Sequence, residues 1–159
     1  MCDIVFRCFP HSGKRGSPLR KQILVVTAAL FLVPMLAGQQ KSHAASAARI
    51  ARGKYLVEDI GLCGDCHTPR GDKGEPVQEQ WLQGAILDFK PITPMPVWAE
   101  KAPAIAGLPG WENDAAIKFL MTGIAQNGLP GRPPMPRYRF NVQDAQAIVA
   151  YLKSLAPGK

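Results

Sequence analysis

The pentapeptide Cys63-Gly64-Asp65-Cys66-His67 restricts this chain more than any other stretch. On a helical turn, positions i, i+3 and i+4 share one face. Cys63, Cys66 and His67 therefore point together at one flat object. Two thiols and an imidazole in this C-x-x-C-H order form the pattern of covalent haem attachment. Each sulfur forms a thioether with a vinyl group, and the imidazole nitrogen reaches the iron. Gly64 and Asp65 face away, and Gly64 is expected to leave room where backbone and porphyrin come close.

Other uses of a cysteine pair fit less well. A structural zinc site takes four ligands, usually from a second Cys or His pair, and no such pair follows the apolar leader. A dithiol redox motif belongs in a βαβ context, and the sequence has no run of strands. Neither use requires the histidine directly after the second cysteine.

The first 44 residues read as a secretory signal peptide or an uncleaved N-terminal anchor. Arg15, Arg20 and Lys21 precede an apolar run at residues 23–37, which small and polar residues follow. That run is 15 residues long and contains Pro34, short of the ~20 residues a membrane span needs. Residues 1–44 carry six Lys/Arg and one acidic residue, so the whole-chain totals of 19 and 12 leave 13 and 11, a net +2, for residues 45–159. The basic pI thus reflects the leader, and a nucleic-acid role is not indicated. Cys2 and Cys8 also fall in the leader. With Cys63 and Cys66 used by haem, residues 45–159 have no thiol for a disulfide, and a covalent haem supplies the centre of a small exported core.

Three helices are expected in that domain. Residues 46–60 place Ile50, Gly53 and Val57 on one stripe. Gly53 costs a helix about 1 kcal/mol against Ala, which points to a close approach by another helix backbone. Residues 112–122 carry Ile117, Leu120 and Met121 on one side, with Asn113 or Asp114 as cap and Gly123 as stop. Asn141 opens the last helix, with Asp144 in a box-like arrangement. Ala145, Ile148, Val149, Leu152 and Leu155 form its apolar face, and Tyr151 is placed to cross the Gly53 notch. Residues 75–110, rich in proline and aromatics, read as an irregular wrap around a flat cofactor. There Trp98 is either a core residue or a donor to a haem propionate. Pro69 or Pro76 is expected to accept the Nδ1–H of His67 and so orient the ring.

Met135 stands between Pro134 and Pro136, in a loop whose prolines limit its freedom. An apolar thioether there suits the second axial position of the iron. Met95, between Pro94 and Pro96, has the same local chemistry. The position of Met135 just before the last helix favours it.

With RGKYLVEDIGLCGDCHTPRG near the front, and RPPMPRYRF followed by DAQAIVAYLKSL at the back, the chain resembles class I cytochromes c over about residues 48–156. It is similar in particular to the cytochrome c domains of bacterial membrane-associated alcohol and sugar-acid dehydrogenases. The resemblance implies an all-α fold of three to five helices wrapped around one covalently bound haem c. It implies thioethers at Cys63 and Cys66, a proximal iron ligand at His67 and a distal one at Met135, with Met95 the alternative. The N- and C-terminal helices would pair at close range.

The expected role is periplasmic electron transfer by iron cycling between Fe(III) and Fe(II), without catalysis by the domain itself. Redox partner proteins would be a dehydrogenase or terminal oxidase, with membrane association through the N-terminus or a partner complex. Arg70, Lys73, Arg132, Arg137 and Arg139 flank the haem as a basic ring able to steer an acidic partner. One alternative is a fixed haem-bearing subunit of a dehydrogenase or oxidase. Another, more distant, is an open-site gas sensor or peroxidase. This chain departs from those dehydrogenase subunits in having one C-x-x-C-H, and in reading PITPMP in its middle loop.

Overall fold

The computed structural model describes residues 43, 44 and 46–155. The leader expected over residues 1–44 lies, apart from its last two residues, outside them. No helix among the described residues is long and apolar enough to cross a membrane.

Helix α1 covers residues 46–55 and continues as a π-helical turn, Leu56–Ile60. Helix α2 is the single turn Gly64–His67, α3 is Asn113–Thr122 and α4 is Val142–Ser154. A two-stranded antiparallel sheet pairs β1 (Ala85–Ile86) with β2 (Lys101–Ala102). The expected all-helical architecture holds, with this small sheet clasping the base of the irregular middle segment.

Helix α4 forms because its apolar residues recur at helical spacing. Ala145, Ala147, Ile148, Val149, Tyr151 and Leu152 are all buried. Asn141 caps it, its side chain accepting the Asp144 N–H at 2.9 Å. The reciprocal bond differs from a regular capping box. The Asp144 carboxylate takes the Asn141 side-chain amide at 3.0 Å and also binds Arg52 of α1 through both oxygens, at 2.9 and 3.2 Å. That guanidinium holds the Asp144 carboxyl below its ordinary range.

Helices α1 and α4 meet at Gly53. A Cβ there would lie 2.6 Å from the Ala147 carbonyl carbon and 2.7 Å from Tyr151 Cβ, closer than real Cβ atoms come. Absence of a side chain lets the two backbones touch. The Tyr151 hydroxyl then donates to Glu58 at 2.5 Å, and Lys54 pairs with the same carboxylate.

The core gathers Leu56 and Val57 of the π turn, Leu82, Ala106 and Leu108 of the middle segment, Ala116 of α3, and Ile148, Val149, Tyr151 and Leu152 of α4. Ile117 and Leu120 of α3 pack on it, whereas Met121 is half-buried outside that cluster. Helix α3 stops at Gly123, which turns left-handed (φ 72°), as expected. Its cap position falls on Glu112, which makes no side-chain cap bond. Neither Asn113 nor Asp114 fills that role, because both already lie inside the helix.

Candidate haem site

The π turn at the end of α1 changes the chain's direction ahead of the two cysteines. Gly61 N–H bonds Leu56 O at 2.7 Å and Cys63 N–H bonds Val57 O at 3.0 Å. Leu62 between them is left-handed (φ 47°), a conformation that costs a non-glycine residue about 1–2 kcal/mol. Strain of this kind persists where the surroundings over-determine it. Here it launches α2, which carries Cys66 and His67.

His67 is buried, 6 % exposed. Its Nδ1 lies 2.7 Å from the carbonyl oxygen of Pro103, which leaves Nε2 as the free ring nitrogen. Burial pushes the imidazole pKa down, against the opposing pull of that carbonyl. A ring with one nitrogen fixed and the other open is what a metal ligand needs. The orienting carbonyl is that of Pro103, not of Pro69 or Pro76. Pro69 O is taken by Val77 N–H at 2.9 Å, and Pro76 pairs with Arg70 in an isolated β-bridge.

The two thiols are not joined to each other. Burial pushes Cys63 up to about 11, and burial with the neighbouring Asp65 also raises Cys66. Reactive dithiols and zinc-binding thiolates are favoured by the opposite shift, and no cluster of three or more His, Cys, Asp or Glu able to hold a metal is found among the described residues. Gly64 has a structural neighbour that demands its small size. A Cβ there would lie 2.6 Å from Trp81 Cζ3 and 3.0 Å from Cζ2. The Trp81 indole fills the space over Gly64 and packs against α2 there.

The loop containing Met135 is tied down on one side. Gly131 N–H bonds Gly123 O at 3.1 Å, Met135 N–H bonds Arg132 O at 3.0 Å, and Ala99 N–H bonds Pro133 O at 2.7 Å. Met135 is half-buried and lies near His67. Its rival Met95 is 44 % exposed. Trp98, the residue before Ala99, has a buried indole N–H with no acceptor among the described residues. A buried unpaired donor is costly, and a haem propionate is an acceptor of the right kind. The thiols of Cys63 and Cys66, the oriented imidazole and this orphaned donor all fit a covalent haem.

Of the five basic residues, two serve the fold. Arg70 bonds Gly74 O at 3.0 Å and the Asp65 carboxylate at 3.3 Å. The Arg139 guanidinium caps α3 through Thr122 O at 3.3 Å and also takes Tyr138 O at 2.9 Å. Lys73, Arg132 and Arg137 are exposed and form no ion pair among the described residues.

Residues 50–156 match the cytochrome c family, and the chain belongs to it: a haem-bearing, electron-carrying domain. Three relatives illustrate the neighbourhood. The chain is 31 % identical over 137 residues to the cytochrome c subunit of the quinone-dependent alcohol dehydrogenase of Gluconobacter oxydans, covering 80 % of this chain and 28 % of that one. It is 31 % identical over 114 residues to the fructose dehydrogenase cytochrome subunit of Gluconobacter japonicus, covering 65 % and 21 %. It is 32 % identical over 117 residues to the gluconate 2-dehydrogenase cytochrome c subunit of Pantoea cypripedii, covering 67 % and 26 %. The match thus spans between a fifth and under a third of each of these relatives.

Proposed function

We propose that residues 45–159 form an exported, single-haem electron carrier with His67 and Met135 as axial ligands, and that the segment before them acts as its export signal or anchor. The observation that carries the ligand assignment is the pairing of a buried, Pro103-oriented His67 with a half-buried, tethered Met135 nearby. Haem c supplies a one-electron Fe(III)/Fe(II) couple. The chain's own part is to attach it through Cys63 and Cys66, to fix the proximal imidazole, to present the distal sulfur, and to offer Trp98 N–H to a propionate.

A methionine ligand and burial both raise the potential, which suits an acceptor of electrons from a dehydrogenase such as those the relatives serve. With both axial positions filled, the iron has no place for a substrate. The ferrous protein is therefore expected not to bind carbon monoxide at neutral pH, as read from an unchanged visible spectrum. Stoichiometric binding would favour the sensor or peroxidase reading instead.

A second reading, a fixed subunit of a membrane-associated dehydrogenase or oxidase in the periplasm, draws support from apolar side chains at the surface. Ile86 is 76 %, Ile92 fully and Val97 57 % exposed. Retention on a tagged copy of this chain of a dehydrogenase subunit, through high salt, separates the two.

A further inference from the structure

We propose that Tyr138 is a positioning residue that latches the distal loop to the haem-attachment segment and keeps Met135 on the iron. This rests on the reading of Met135 as the distal ligand. The Tyr138 hydroxyl donates to the Gly61 carbonyl at 2.6 Å, joining residues 77 apart in sequence. Tyr138 lies three residues after Met135, and Gly61 two before Cys63. One hydrogen bond therefore joins the segment that carries the distal sulfur to the segment that carries the first thioether.

Its place among the loop's tethers sets it apart. Gly131 is held by Gly123, Phe140 by Leu120 at 3.3 Å, and Arg139 by Thr122, so these bonds all run to α3 or its cap. Pro133 is held by Ala99 of the middle segment. Among the described residues, Tyr138 to Gly61 is the hydrogen bond that runs from the loop at 128–140 to the haem-attachment segment at 56–67. Without it the loop stays anchored to its own side and is free to lift from the other. The ring lies stacked on Phe140 at 5.0 Å and 24°, while its hold on the attachment segment comes from the hydroxyl alone. Its acceptor is presented by the π turn, which carries Gly61 next to the cysteines: a Cβ on Gly61 would lie 3.2 Å from Cys63 Sγ and 3.7 Å from the Tyr138 hydroxyl.

The test uses the ferric holoprotein and imidazole, which binds iron only after the thioether leaves. Tyr138→Phe keeps the ring and its stacking but removes the donor. It is expected to bind imidazole about 2- to 10-fold more tightly than the parent, the range one net hydrogen bond provides. The ferric iron–thioether absorption persists in the absence of imidazole. Phe140→Leu, which removes the stacking partner and keeps the hydroxyl, is expected to lower the melting temperature while leaving imidazole affinity at the parent's value. Equal imidazole affinity in Tyr138→Phe and parent overturns the latch, as does an equal rise in Phe140→Leu. If the parent itself lacks the thioether absorption, the failure lies with Met135 as ligand, and the two outcomes are told apart.

Discussion

Met135→Leu is expected to abolish the ferric iron–thioether absorption, to let the ferrous protein bind carbon monoxide, and to lower the midpoint potential by on the order of tenths of a volt, a fair part of the ~0.8 V that axial ligation spans. Met95→Leu is expected to leave all three unchanged. The two methionines are matched controls, each flanked by prolines on both sides. Local chemistry does not separate them, but tertiary position does. Met135 is half-buried in a loop tied to Gly123 and Ala99, whereas Met95 is 44 % exposed. Visible spectra and a redox titration of the two purified variants decide the matter. Loss of the signature in Met95→Leu with its retention in Met135→Leu would reverse the assignment.

Gly53→Ala is the second change with a large expected effect, and its sign discriminates between two forces. Helix propensity alone favours alanine by about 1 kcal/mol. Against this stands a new Cβ that must displace the Ala147 carbonyl carbon from 2.6 Å and Tyr151 Cβ from 2.7 Å. Overpacking costs typically ~1–3 kcal/mol and more where backbone must move. Two backbone-linked obstacles place this case at the upper end, so packing wins. The expected outcome is a loss of roughly 2 kcal/mol, which lowers the melting temperature of a domain this size by on the order of 10 °C. Thermal unfolding of the holoprotein, followed by circular dichroism, measures it. A melting temperature equal to or above the parent's would mean that α1 and α4 do not cross at this residue.

The features legible in the sequence are those set by spacing along one helix. The common face of Cys63, Cys66 and His67 is a one-turn relation. The apolar stripe of α4 and its Asn141 cap are local in the same sense, and so is the stop at Gly123. The Gly53 notch was readable because an unfavourable residue inside a strong helical stripe demands a tertiary reason. What was not legible depends on chain segments meeting across long separations. The partner of His67 is Pro103, 36 residues away, and no local signal distinguishes it from the nearer Pro69 and Pro76. Gly64 is small for the sake of Trp81, which returns to it through a loop and a 3-10 turn at Gln78–Gln80. The π turn at Leu56–Ile60 has no periodic signature of its own, since it continues the same apolar stripe with one residue added to the turn. The clasp of β1 on β2 leaves no mark in the sequence because two residues per strand are too few to show alternation.

The proposed carrier depends first on a covalent bond between a haem and the thiols of both Cys63 and Cys66. Intact mass of the protein produced in cells with a working haem-attachment system tests this most directly. The predicted result is one species, heavier than its polypeptide by a single haem, with neither Cys63 nor Cys66 open to alkylation after denaturation, and with the added mass lost in the Cys63→Ala/Cys66→Ala double variant. A polypeptide of unmodified mass, with both thiols alkylated in full, would contradict it.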